Sequence, residues 1–296
     1  CPFLFGQSHW IDPNIGGQDS MTISATIDLD GNIQTEDYEV AVFHNKTLLE
    51  VGEIILAPNG TLYHVDLNVV GDNSMKNIYF KFFDGTNEYV SLTKVDFNAD
   101  GIGLHTAPLA IEFKSVAKIG DVVYSTLQDA VNACTTGDNT ITLLDDVSDD
   151  VIVRQEANKN ITIIGGTSNE DRKTFSGTVN VYGNRRSNAT ETLTFEYVKF
   201  ETSEKSHNFI YSDVVDAPKG YAHNITVKNC EFIATGEATK TAVALRIRQG
   251  YNINIQNVAF NSLHSAMQMN GTVGINVYGA KVENCQNGFS ASGENT

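Results

Sequence analysis

The sequence predicts an all-β chain of two domains, a β-sandwich over residues 20–115 and a parallel β-helix over 116–296. Three observations carry this. Apolar and polar residues alternate from Ser20 to about Phe113. A strand unit then recurs, at an interval that tightens to 22 residues toward the C-terminus. The one clear helical pattern is short and precedes the recurring units, at Leu127–Cys134.

Composition bounds the function. The chain has 296 residues, 41% of them hydrophobic, enough to bury a sizeable core. No apolar run reaches 18 residues, so no transmembrane helix is expected. A net charge of −16 argues against nucleic acid and anionic lipid as partners. An acidic polysaccharide would need a bridging cation or a local basic patch. The charge is uneven: 5 basic against 16 acidic residues up to Ser115, and 15 against 20 beyond it, a further sign of two domains. Cys1, Cys134, Cys230 and Cys285 show no CxxC and no paired spacing with histidine, so they are expected as free, buried thiols rather than zinc ligands. Residues 1–19 are a lead-in. Cys1–Gly6 reads either as the end of a signal h-region cleaved near Gln7, as a lipidated Cys1, or as an ordinary apolar start.

In the first domain Met21, Ile23, Ala25 and Ile27 alternate with polar residues, as do Tyr63, Val65, Leu67 and Val69. Such alternation gives each strand one core face and one wet face. Asp30-Gly31, Asn59-Gly60 and Asp84-Gly85 supply turn residues that accept positive φ. About seven short strands without a helix make an immunoglobulin-like sandwich the expected form. Asp96-x-Asn98-x-Asp100-Gly101 matches the first half of a calcium loop, but its twelfth position is Ala107, not the bidentate Glu. Calcium is thus the one cation suggested; the alternative is an Asx-rich turn, and no other cofactor is indicated. The order His9-Trp10, Asp19–Ile23, Asp37–Phe43 and Phe97–Gly101 resembles a β-sandwich module of secreted and surface proteins in gut Bacteroidetes, across residues 8–113. That resemblance implies export and names no catalytic residue.

In the second domain Ile253–Phe260 aligns on Ile275–Val282 at an offset of 22, and Leu245 and Ile247 fall 22 before Met267 and Met269. Ile225–Phe232 lies 28 before the Ile253 block, Leu193–Phe200 a further 32 and Ile161–Ile163 another 32. One turn of a parallel β-helix per unit explains this, with the excess residues in corner loops. Val198, Cys230, Val258 and Ala280 would form one interior row, and Phe200, Phe232, Phe260 and Val282 another. Asn229 and Asn257 would bond from coil to coil, a ladder ended by Gly279. Ser125–Gln128 reads as a capping box opening a helix that covers the first coil, with Gly137 as its stop. No C-terminal cap is recognisable, which leaves room for further coils and for a site within them. Residues 117–296 resemble the opening of bacterial right-handed β-helix proteins, on Ala117–Tyr124, Leu127–Val131 and Gly137–Leu144. This implies the pectin-lyase-like superfamily, which holds lyases, hydrolases, adhesins and tailspikes.

Asp145-Asp146 and Asp149-Asp150 are the obvious acid pairs, but neighbours on a strand face opposite ways and these read as turn acids. Arg246 and Arg248 flank an inward Ile247, so both guanidiniums point outward and could grip sugar carboxylates or sulfates. Arg246–Arg248 resembles the Arg-Ile-Lys element of polygalacturonases, whose other elements are absent. His207, Tyr211, Asp213, Asp216, Tyr221 and His223 are expected together in corner loops, as rings and acceptors for a glycan. Arg185-Arg186 adds a weaker anion contact. The expectation is a protein exported through a signal peptide to the cell surface or beyond. It would be a non-catalytic adhesin or glycan-contacting module with a polysaccharide or glycoconjugate as partner. A lyase or hydrolase acting on the helix flank is the alternative, and oligomeric state is left open.

Overall fold

The computed structural model describes residues 8–11, 13, 19–35, 38–57, 60, 62–183, 189–213 and 221–292. The chain divides into two compact units, Cys1–Ser115 with Gly120–Thr126, and Val116–Ile119 with Leu127–Thr296. The first therefore takes a segment lying beyond the boundary expected at 115.

Among the described residues, seven strands of five residues or more build the first unit: Asp19–Leu29, Glu39–His44, Thr47–Glu53, Tyr63–Gly71, Ile78–Phe83, Glu88–Val95 and Leu109–Phe113. One sheet pairs Asp19–Leu29 with Tyr63–Gly71 antiparallel and with Leu109–Phe113 parallel. The other runs Thr47–Glu53, Glu39–His44, Ile78–Phe83, Glu88–Val95 and Val122–Tyr124, the last pairing parallel with Glu88–Val95. The two parallel pairings depart from the all-hairpin pattern that the turns suggest. Met21, Ile23, Ala25, Ile27, Val65, Leu67 and Val69 on the first sheet are buried, as are Val40, Val42, Phe80 and Phe82 on the second. The Phe82 and Phe113 rings, 5.7 Å apart, join the two layers.

Asp30-Gly31 turns with positive φ at both residues, as expected. A second such turn is built from Asn45 (φ 50°) and Lys46 (φ 70°), where the sequence offers no glycine. A lysine held there strains against its own Cβ. Lys46→Gly is expected to raise stability by about 0.5–1 kcal/mol, measured by urea denaturation.

Among the described residues the second unit is a parallel β-helix of six coils, with three strands in a full coil. The first sheet stacks Gly137–Leu143, Lys159–Ile164, Leu193–Glu196, Ala222–Lys228, Gly250–Gln256 and Val273–Tyr278. The second stacks Lys173–Phe175, Val198–Thr202, Glu231–Ala234, Ala259–Asn261 and Lys281–Glu283. The third stacks Val151–Arg154, Val179–Tyr182, Asn208–Ser212, Val243–Arg248, Ser265–Asn270 and Asn287–Ser292. The register follows the repeat read from sequence: Ile161, Leu193, Ile225, Ile253 and Ile275 pair in succession. Phe200, Phe232, Phe260 and Val282 likewise align, and Phe175 begins their row one coil earlier. Val282 and Phe289 of the sixth coil are exposed, because no seventh coil stacks on them among the described residues.

The corner between the first two sheets is left-handed in coil after coil, at Tyr197, Asn229, Asn257 and Gly279. Asn tolerates this conformation, and Asn257 Nδ2 donates to Asn229 Oδ1 at 3.4 Å. A second ladder, not foreseen, joins Asn252 Nδ2 to Asn224 Oδ1 at 3.0 Å.

The helix α1, Leu127–Ala133, lies over the first coil with Leu127, Ala130 and Val131 buried. The Gln128 amide exchanges two hydrogen bonds with the backbone of Ile152, satisfying part of that strand's free edge. The expected capping box does not form. Ser125 Oγ instead donates to Val90 O and accepts the Lys114 N–H, within the first unit. Cys134 and Cys230 are free and buried, and Cys285 is free but only half-buried; Cys1 lies outside the described residues. Burial pushes the Cys230 thiol up to about 12.

Candidate functional site

Alternation along Val243–Arg248 buries Leu245 and Ile247 and leaves Arg246 and Arg248 facing out from the third sheet. Parallel pairing then lines up two outward rows. One runs Ile152, Asn180, Tyr211, Arg246, Gln268, Ser290. Two residues along, a second row pairs Arg154 with Tyr182 and Arg248 with Asn270 and Ser292, and Asp213, just past the strand Asn208–Ser212, reaches Arg248 through its side chain. The strand spacing places row neighbours ~4.8 Å apart, and the two arginines ~6.6 Å apart along their strand. A groove of about 200 Å³ is lined by both arginines, Gln268, Asn270, Ser290 and Ser292.

The electrostatics of this flank are specific. Arg248 Nη1 lies 3.5 Å from Asp213 Oδ2 and stays 42% exposed. Arg246 makes no hydrogen bond or ion pair among the described residues. Tyr211 Oη donates to Asp213 Oδ2 at 2.9 Å, and burial together with that acceptor raises its pKa. The Arg154 guanidinium sits 4.9 Å over the Tyr182 ring. Three cations, two phenol rings and a file of amides and hydroxyls therefore share one face. Such a set can bind an anionic, hydroxylated chain; it offers no paired carboxylates across a bond.

The structure brings together Tyr211, Asp213, Arg246 and Arg248, but not the two histidines. His207 is buried, with Nε2–H donating to Gly177 O at 3.1 Å. His223 lies within the strand Ala222–Lys228 rather than in a loop; it is buried and stacked 5.3 Å from Tyr251. Gln155 holds the His223 backbone on both sides, through its N–H and its carbonyl. Tyr221 packs edge-on 5.7 Å from Tyr251. Asp216 and Arg185-Arg186 lie outside the described residues. Gln268 and Asn270 were missed, although they fall 22 residues after Arg246 and Arg248, the offset that defines the repeat.

Burial lowers the His207 pKa below its usual 6.5, so its neutral form belongs to the folded state. The unfolded chain takes up the extra proton first as pH falls. The stability contributed by neutral His207 is thus complete above ~6.5 and is lost as pH drops through the folded pKa. Wild type is expected to lose more Tm between pH 7.5 and 5.0 than His207→Gln, as read by thermal melts.

The acid pairs serve the turns. Asp146 Oδ1 accepts the Thr174 N–H and Asp150 Oδ1 the Thr178 N–H, each tying one coil to the next. In the first unit Lys76 pairs with Asp96 at 3.1 Å, which also accepts the Asn77 N–H, and the two together hold its carboxyl below the usual range. Asn98 Oδ1 accepts the Asp100 N–H in an Asx turn. Asp96 and Asn98 thus already spend acceptor oxygens on the protein. No family model matches the chain, and no curated protein or solved structure is significantly similar to it.

Proposed function

We propose that the chain is a secreted or cell-surface binding protein whose third-sheet flank holds an anionic glycan without cleaving it. The observation that carries this is the outward pair Arg246 and Arg248, one unpaired and one half-exposed, set between Tyr211, Asp213, Gln268 and Asn270. On a chain of net charge −16 they are the local basic patch an acidic polymer requires. The resemblances to an exported Bacteroidetes sandwich module and to pectin-lyase-like β-helices fit display outside the cell, in an adhesin-like role.

The test is affinity electrophoresis of the full chain through gels cast with polygalacturonate, chondroitin sulfate or neutral dextran. Retardation by an acidic polymer that stays intact, with free migration in dextran, is the expected result. A cleared zone in the stained polymer would replace this reading with a lyase or hydrolase. Unchanged migration in every gel would overturn both.

A further inference from the structure

A second constellation lies in the first unit, on the outer face of its first sheet. His64 and Asp66 are two residues apart on the strand Tyr63–Gly71, so both side chains leave the same face. Ser24 stands directly opposite Asp66 on the neighbouring strand. The segment after the Asp96–Gly101 turn pairs along the edge of Asp19–Leu29, parallel to it at Ile23 and Ile102. Ile102 N–H donates to Thr22 O, and Ile102 O accepts the Ser24 N–H. Gly103 then passes so close that a Cβ there would lie 2.2 Å from Ser24 O. Leu104 and Ala107 exchange both backbone hydrogen bonds, which closes a tight turn with His105 at its tip. The His105 ring comes to rest 4.9 Å from the His64 ring.

The two Nε2 atoms converge on one carboxylate oxygen. Asp66 Oδ2 lies 3.3 Å from His64 Nε2 and 3.2 Å from His105 Nε2, and one donor atom from each residue lies within 4.8 Å of the others. A tetrahedral zinc ion with bonds of ~2.1 Å separates its ligands by ~3.4 Å, close to both spacings. Two imidazoles and a carboxylate suit a borderline ion such as Zn²⁺ rather than calcium, which prefers oxygen alone. His64 is 2% exposed and Asp66 and His105 are open to solvent, so one side is anchored and the other admits an ion and a water. Ser24 Oγ and His64 Nδ1 are buried without a protein partner, polar atoms free for an outer shell of ordered water around such an ion. The excess of 16 acidic over 5 basic residues up to Ser115 draws cations to this unit.

We propose that His64, Asp66 and His105 form a zinc-type divalent metal site, with water in the fourth position, that fastens the 102–107 turn to the sheet. It is distinct from the Asp96–Asp100 loop and from the third-sheet flank, and it does not depend on the glycan reading.

The full chain, stripped with chelator, would be titrated with Co²⁺ while the visible d–d bands of four-coordinate cobalt are followed. The expected result is one ion per chain, displaced by Zn²⁺, and a rise in Tm with Zn²⁺. His105→Ala removes a ligand from an exposed turn and should melt like wild type in chelator. It should bind Co²⁺ at least ~10-fold more weakly and lose the Zn²⁺-dependent rise in Tm. No cobalt band, or a band that His105→Ala leaves unchanged, would overturn the proposal.

Discussion

Phe232→Ala is expected to destabilise the β-helix by about 3–5 kcal/mol, measured by urea denaturation followed by circular dichroism. Phe232 is fully buried. Its ring stacks on Phe200 at 4.5 Å and 4° and on Phe260 at 5.4 Å and 11°, and meets Phe209 edge-on at 5.7 Å. Truncation removes the transfer free energy of the ring and up to ~0.5–1.5 kcal/mol for each aromatic pair. The void cannot collapse readily. Backbone pairing of Glu231–Ala234 with Val198–Thr202 on one side and Ala259–Asn261 on the other fixes the coil spacing. Phe232→Leu fills most of that volume and should cost less than half as much. A loss below ~1 kcal/mol for the alanine variant would show that the ring row does not hold the coils.

Arg246→Ala with Arg248→Ala is expected to weaken retention by an acidic polysaccharide about 100-fold or more. A charge-assisted hydrogen bond contributes ~1.5–3 kcal/mol, and two are removed. Both side chains leave the outer face, so the melting curve should stay within ~0.5 kcal/mol of wild type. The flank is open to solvent, so salt should erode wild-type retention in the same direction. Lys205→Ala with Lys240→Ala, at two well exposed cations elsewhere, is the matched control and should bind as wild type. Equal loss in both double variants would reduce the effect to net charge and remove the flank from the argument.

Much of the β-helix was legible because a stack of coils forces like residues into register. The offsets of 22, 28 and 32 read from Ile161 to Ile275 are the strand pairings themselves. Features without a period were not legible. Ser125 has the right neighbours for a cap, yet its hydroxyl finds Val90 O and the Lys114 N–H, partners that no local pattern announces. The Asn45-Lys46 turn was hidden because lysine occupies a position that usually shows itself by glycine. On the candidate flank the alternation around Ile247 fixed the outward arginines. His207 and His223 look like loop ligands in a polar stretch, and only packing shows them buried on Gly177 and Tyr251. His64 and Asp66 announce a shared face, but His105 joins them through a turn 39 residues on, a distance that sequence spacing alone does not interpret.

The corner loops carry a consequence in chain entropy. On the third sheet the next coil is reached after 35 residues between Ile210 and Leu245, but after 22 between Leu245 and Met267. The cost of closing a loop grows only as the logarithm of its length, so those extra residues cost ~0.4 kcal/mol. That is a small fraction of what one buried phenylalanine contributes. A corner can therefore gain or exchange a dozen residues with little change in fold stability, while the arginine strand beside it keeps its place. Recognition can diversify at the corners faster than the rows that support it.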